Sequence, residues 1–210
     1  MKILFFKTLA STQTYLKELL ATKPTLPLAI VADTQTDGLG SRNNSWVSQK
    51  GNLFLSFALR LDSLPSDLKL ESASIYYSYI LKETLVEFGS KVFVKWPNDL
   101  YLKDAKVAGM ITNIVGDTLV CGVGLNLQNS TKSYASLDIE IPREKIVEEF
   151  LKNIEKKLLW KQVFSKYKLE FYRNQNFFTH FKDTKLPLSK AVLENDGSLS
   201  IEGERIYSLR

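Results

Sequence analysis

Short apolar segments alternate with polar, turn-bearing stretches over the first 125 residues of the chain, and the pattern predicts more strands than helices. Residues 4–6, 28–32, 53–59, 92–94, 100–102, 106–115 and 118–123 read as strands, each apolar or alternating and bounded by turn residues. Asn98-Asp99, Lys103-Asp104 and Gly116-Asp117 supply turn chemistry between the later ones. Helical spacing occurs in three places. Ser11 is a good N-cap ahead of Tyr15, Leu16, Leu19 and Leu20. Pro65-Ser66 opens a segment running through Ile75, Tyr79, Ile80 and Phe88, closed by Gly89 in the C′ position. Pro142 opens one long amphipathic segment carrying Ile146, Val147, Phe150, Ile154, Leu158 and Phe164. Beyond Phe178, Pro187, Asn195-Asp196-Gly197 and Ile201 predict short strands and a hairpin, too little chain to hold a core alone. The expected fold is α+β, a mixed and mostly antiparallel sheet with helices packed on one side. The expected division is a main domain over 1–182 and a small β segment over 183–210.

Composition narrows the classes of function. Of 210 residues, 44% are hydrophobic and 24% charged, the balance of a folded globular chain. No apolar run approaches the ~20 residues that cross a bilayer, and Lys7 interrupts the N-terminal apolar run, so neither a membrane span nor a signal peptide is expected. The single cysteine, Cys121, cannot form an internal disulfide and suits a reducing, cytoplasmic setting. With one His (His180) and one Cys, ordinary zinc sites are out of reach, and neither residue is given a role. A net charge of +5 suits an anionic ligand or acidic partner without demanding nucleic acid. The basic cluster over 152–168 is interleaved with apolar residues and reads as a solvated helix face.

Four polar or glycine-bearing clusters break the apolar strand edges. Gln35-Thr36-Asp37-Gly38-Leu39-Gly40-Ser41-Arg42-Asn43-Asn44-Ser45-Trp46 offers two glycines that let backbone N–H groups approach a ligand, beside the charge of Arg42. It is neither a phosphate-binding Walker loop nor a dinucleotide fingerprint, and a surface turn has the same composition. Lys95-Trp96-Pro97-Asn98-Asp99-Leu100 joins two strands and would also serve as a plain hairpin. Lys106-Val107-Ala108-Gly109-Met110 opens a strand with a lysine, a position often held by a solvated gatekeeper. Gly122-Val123-Gly124-Leu125-Asn126 weakens a strand with two glycines, which marks a close approach by another segment or a ligand.

In their order along the chain these pieces resemble the catalytic domain of biotin protein ligases, which attach biotin to the carrier domains of carboxylases. The resemblance runs from about Ile3 to Phe178, with Lys95 to Asp99 and the spacing to Lys106 as its most specific part, and a weaker echo in Gly203-Glu204-Arg205-Ile206-Tyr207-Ser208-Leu209-Arg210. It implies a biotin/lipoate ligase-like catalytic domain over 1–182 and a truncated, SH3-like β segment over 183–210. The family's loop usually reads Gly-Arg-Gly-Arg. Here Leu39 and Ser41 stand in the arginine places, with Arg42 one residue later. The ten residues before Ser11 leave no room for the DNA-binding domain of repressor-type ligases, so no DNA partner is expected.

The resemblance implies two half-reactions: biotin carboxylate attacks the α-phosphate of ATP, and a carrier lysine then takes biotin from the adenylate. It assigns catalysis to Lys106, bridging the two anions, with Asp99 orienting that lysine or holding Mg²⁺. Biotin contacts are expected from Ser11, Thr12, Gln13, Gln35, Gly38, Leu39, Gly40, Ser41, Lys106, Gly109, Gly122 and Gly124. Contacts to ATP or adenylate are expected from Arg42, Asn44, Trp46, Lys95, Asn98, Asn126 and Ser136. The implied partner is a biotin carboxyl carrier domain, and a homodimer is compatible with the sequence. The rival readings are a lipoate- or octanoate-handling enzyme of the same fold and a basic, non-catalytic binding module.

Overall fold

A computed structural model describes residues 1–40, 45–46, 49–128, 134–181 and 184–208. Its centre is a seven-stranded sheet in the order β1-β2-β3-β7-β6-β5-β4. The strands are β1 (Lys2–Leu9), β2 (Leu28–Gln35), β3 (Leu53–Arg60), β4 (Phe93–Lys95), β5 (Asp99–Leu102), β6 (Ala105–Val115) and β7 (Thr118–Leu125). β1 and β2 are parallel, joined through helix α1 (Thr12–Leu20), and every other pair is antiparallel. The mixed, mostly antiparallel sheet is the expected one.

The central strands are apolar at consecutive positions because both faces of the sheet are covered. Leu28, Ile30, Ala58 and Val120 pack under Leu16 of α1. Ala29, Val31, Leu55 and Phe57 point the other way, into the main core, with α2 (Ala73–Glu87) and α3 (Arg143–Glu155). Helices therefore lie on both faces, not on one; the continuous apolar run of β3 carries that information, since a half-exposed strand would alternate.

Two helices differ from their predicted extents. α2 starts at Ala73 rather than near Ser66, because residues 61–63 and 70–72 form single 3₁₀ turns. It ends as predicted, with Gly89 at φ +98° and the Ser90 amide donating to the Leu85 carbonyl. The long amphipathic segment is two helices, α3 and α4 (Trp160–Glu170), separated at Lys157 with φ +47°. Residues distant in sequence hold that break. The Asp67 carboxylate accepts the Trp160 and Lys161 amides, and the Tyr76 hydroxyl donates to the Leu158 carbonyl.

The C-terminal chain forms a hairpin of β8 (Phe178–Phe181) and β9 (Thr184–Pro187) and a small sheet of β10 (Val192–Leu193), β11 (Leu199–Ile201) and β12 (Glu204–Ile206). Leu193, Leu199, Ile201 and Ile206 are buried in the same core as α2 and α3, so this segment leans on the main body as expected. No helix among the described residues is long and apolar enough to cross a membrane.

Candidate active site

The sheet carries a polar concavity on the face that α1 covers, beyond the first turn of that helix. Two rows of paired residues cross beneath it, and Ser56, Gly122, Ile111, Gly124, Gly109 and Asp99 of these rows line it. One runs Ile30–Ser56–Gly122–Ile111 and the next Ala32–Phe54–Gly124–Gly109–Asp99. The glycines make the room. A Cβ on Gly109 would lie 3.0 Å from Lys106 Nζ, on Gly122 3.1 Å from Gln13 Oε1, and on Gly124 2.3 Å from the Trp46 ring. The resulting cavity is about 460 Å³.

Lys106 reaches this face through an irregularity in the β5–β6 pairing. Leu100 pairs with Ala108 but Tyr101 pairs with Lys106, leaving Val107 as an extra residue in β6. Strict alternation from Gly109 would turn Lys106 to the opposite face. The bulge restores it to the side of Asp99, and the adjacent Val107 and Ala108 both enter the core instead. Lys106 Nζ then sits 2.7 Å from Asp99 Oδ1 and 5.6 Å from the centre of the Trp46 ring. Both side chains of the ion pair are about a fifth exposed (23% and 22%), open to the cavity yet shielded from bulk water.

A second polar group lines the α1 end. The Gln35 carbonyl oxygen accepts from the Thr12 amide (2.8 Å) and hydroxyl (3.1 Å), and Thr12 Oγ1 lies 2.8 Å from Ser56 Oγ. Since Thr12 has one hydroxyl proton and gives it to Gln35, Ser56 donates to Thr12 and presents lone pairs outward. Gln13 donates to Asn113 Oδ1 (2.8 Å); its own carbonyl oxygen is buried and finds no hydrogen-bond partner among the described residues. Such an acceptor is costly unless a donor meets it. Together these groups can receive a ligand with N–H donors at one end and an anion at the other.

A profile of the biotin/lipoate A/B protein ligase family matches residues 5–127, more than half of the chain. The chain belongs to this family. A Helicobacter pylori biotin acetyl coenzyme A carboxylase synthetase with bound biotinylated ATP superposes with a TM-score of 0.92 at 41% identity, over 98% of this chain and 99% of that one. The Aquifex aeolicus biotin protein ligase in complex with biotin and ATP gives 0.83 at 25% identity, over 100% and 96%. The bifunctional ligase/repressor BirA of Escherichia coli is 39% identical over 106 residues, which span 47% of this chain but only 32% of that protein.

Within this biotin/lipoate ligase fold, Ser11, Thr12, Gln13, Gln35, Leu39, Gly40, Trp46, Asn98, Asp99, Lys106, Gly109, Gly122 and Gly124 all line the cavity. Ser11 also caps α1, its hydroxyl accepting from the Thr14 amide. Gly38 stands behind the lining, where its carbonyl accepts from the Trp46 amide at 2.7 Å. Lys95 ends β4 and lies outside the lining, as do Asn126 and Ser136. Asn126 Oδ1 accepts from the Asn52 side chain, and Ser136 borders a separate cavity with Lys50, Gln128 and Arg143. Ser41, Arg42 and Asn44 lie outside the described residues.

The sequence reading missed Ser56, Ile111 and Tyr134, which line the same cavity. Ser56 left a signal, a lone hydroxyl inside the apolar run of 53–59. Tyr134 left none; it meets Lys106 through backbone pairing. Cys121 is fully buried and burial pushes its thiol well above the ordinary range, so it is no nucleophile. Among the described residues no group of three or more His, Cys, Asp or Glu side chains could hold a metal ion.

Proposed function

We propose that this protein activates biotin with ATP as biotinyl-5′-AMP and transfers it to a lysine of a biotin carboxyl carrier domain. The observation that carries the reading is the Lys106–Asp99 pair, placed by the bulge at one end of a cavity whose other end is the Thr12–Gln35–Ser56 group. The H. pylori structure with biotinylated ATP, similar along nearly the whole chain, supports the same ligand class.

The first step brings one anion onto another. A biotin carboxylate oxygen forms a bond to the α-phosphorus of ATP, and the bond to the leaving pyrophosphate oxygen breaks. Two unit charges ~4 Å apart repel by about 4 kcal/mol at an effective dielectric near 20. A fixed cation between them offsets that repulsion and stabilises the charge growing on phosphorus. Lys106 is that cation, held by Asp99. In the second step a carrier lysine amine attacks the acyl carbon, the acyl–phosphate oxygen bond breaks, and AMP leaves.

Thr12, Gln13, Gln35 and Ser56 receive the ureido ring of biotin, whose two N–H donors meet their acceptor oxygens. Leu39, Gly40 and Trp46 wall the ligand on the loop side, and Asn98 stands beside the nucleotide. Mg²⁺ would arrive on the ATP phosphates, with Asp99 as a protein carboxylate within reach, the mode usual for an ion that keeps few protein ligands. The buried Cys121 disfavours an octanoyl transferase, which needs a reactive thiol. A cytoplasmic location belongs to the same reading.

The test is incubation with ATP, Mg²⁺ and either biotin or lipoate, followed by an isolated carrier domain. Pyrophosphate release with biotin alone, then a biotinylated carrier lysine, is the expected result. Release with lipoate, or no release with either, would refute it.

A further inference from the structure

The segment that carries Asn98 and Asp99 is held from behind by the C-terminal turn. Three successive carbonyls of that turn each accept a side-chain donor from the main body: Asn195 from Trp160 Nε1 (2.9 Å), Asp196 from the Ser72 hydroxyl (2.6 Å) and Gly197 from Trp96 Nε1 (2.8 Å). The turn is preformed by its own contacts. The Asp196 carboxylate accepts from the Ser198 amide and hydroxyl and from Arg205 Nη2 (2.9 Å), and Arg205 Nε donates to Ser198 Oγ (2.9 Å). Gly197 adopts φ +79°, and a Cβ there would lie 2.7 Å from Ile75 Cδ1, so the turn seats with no room to spare.

Trp96 is the receiving end, fully buried, with its amide donating to Asn174 Oδ1 (2.8 Å) while Asn174 Nδ2 donates to the Val94 carbonyl (3.1 Å). Two residues on, Asn98 exchanges backbone and side-chain bonds with Met110, and Asp99 stands opposite Gly109 with Lys106 on its carboxylate. The groups at the α1 end of the cavity are carried by α1, β2 and β3, with Gln13 bonded to Asn113 near the far end of β6.

We infer that the turn over 194–198 is a latch whose grip on Trp96 positions Asp99 and Lys106 for the chemical step from outside the cavity lining. The inference rests on the function proposed above. A displacement of about 1 Å at a reacting group costs on the order of a hundredfold in rate. Loosening the latch therefore lowers turnover more than biotin affinity, because the Thr12–Gln35–Ser56 end of the cavity keeps its own bonds.

Two variants test it in the full chain. Trp96→Phe deletes the indole donor, and Arg205→Ala frees the turn from an exposed position where folding is not at stake. The expected result for both is an adenylation kcat roughly ten- to a hundredfold lower, with a clearly smaller loss of biotin affinity. Amide exchange should quicken over 95–110 and stay unchanged over 11–35. A kcat within about twofold of wild type in Arg205→Ala, or biotin affinity falling in step with kcat, would overturn the latch. Should Trp96→Phe fail to fold, Arg205→Ala decides alone by the same readouts. Biotin-dependent pyrophosphate release by the wild type reports separately on the proposed function, and the exchange data judge the latch even if that release is absent.

Discussion

The two faces of the sheet are built from the same strands and follow opposite rules. On the face toward α2 and α3, Leu55, Phe57, Leu100, Val107, Ala108 and Val123 interlock with helix residues and leave little space. On the α1 face, the same strands place Ser56, Gly109, Gly122 and Gly124, and the space those small residues leave is filled by Gln13, Trp46 and Lys106. One face contributes stability through apolar burial. The other keeps it only beneath α1, at Leu28, Ile30, Ala58 and Val120, and beyond that helix holds polar groups where a ligand can meet them. A single extra residue, Val107, moves Lys106 from the first face to the second.

Lys106→Ala should give the largest effect and fall wholly on the polar face. Removing one positioned electrostatic donor costs ~10²–10³ in rate or more, and Tm should move by no more than about 4 °C. Stopped-flow pyrophosphate release with a thermal melt measures both. Near-normal release would return Lys106 to the status of a solvated strand lysine. Phe57→Ala, on the packed face, should invert this pattern. Its ring meets Tyr77 and Phe150 edge-on, and its loss should cost about 3–5 kcal/mol of stability. Biotin affinity of the folded fraction should be unchanged, as titration calorimetry at low temperature would show.

Thr12→Ala sharpens the contrast further. It removes the hydroxyl shared by Gln35 Oε1 and Ser56 Oγ while the residue 12 amide still donates to Gln35, and biotin binding should weaken by about 1–3 kcal/mol while kcat stays closer to wild type. The smallest effect belongs to Cys121, on the seam between β3 and β7. Because burial raises its thiol, the native protein should resist iodoacetamide at pH 8, and one equivalent should react after denaturation. Rapid alkylation of the folded protein would show that the seam opens.

Much of this was legible in the chain. The strands were readable because they are short, apolar and bounded by turn residues, and Ser11 and Gly89 marked helix ends by local chemistry. Helix α2 was placed too early because Pro65-Ser66 reads as a helix opening, whereas residues 70–72 form a 3₁₀ turn and Asp67 serves Trp160 instead. The break at Lys157 has the same cause, a cap donated from far away in sequence. At the site, glycines and polar interruptions were visible one strand at a time. The bulge was not, because it exists only in the register of β5 against β6. Ser56 was passed over as one hydroxyl in an apolar run, and its partners Thr12 and Gln35 become neighbours only when α1, β2 and β3 assemble.

The most direct measurement gives the protein ATP, Mg²⁺ and equimolar biotin and lipoate, and identifies the adenylate by mass spectrometry after acid quench. The account predicts biotinyl-5′-AMP as the only acyl-adenylate from the wild type and none above background from Lys106→Ala. Lipoyl-AMP in comparable amount, or biotinyl-5′-AMP formed equally well without Lys106, would contradict it.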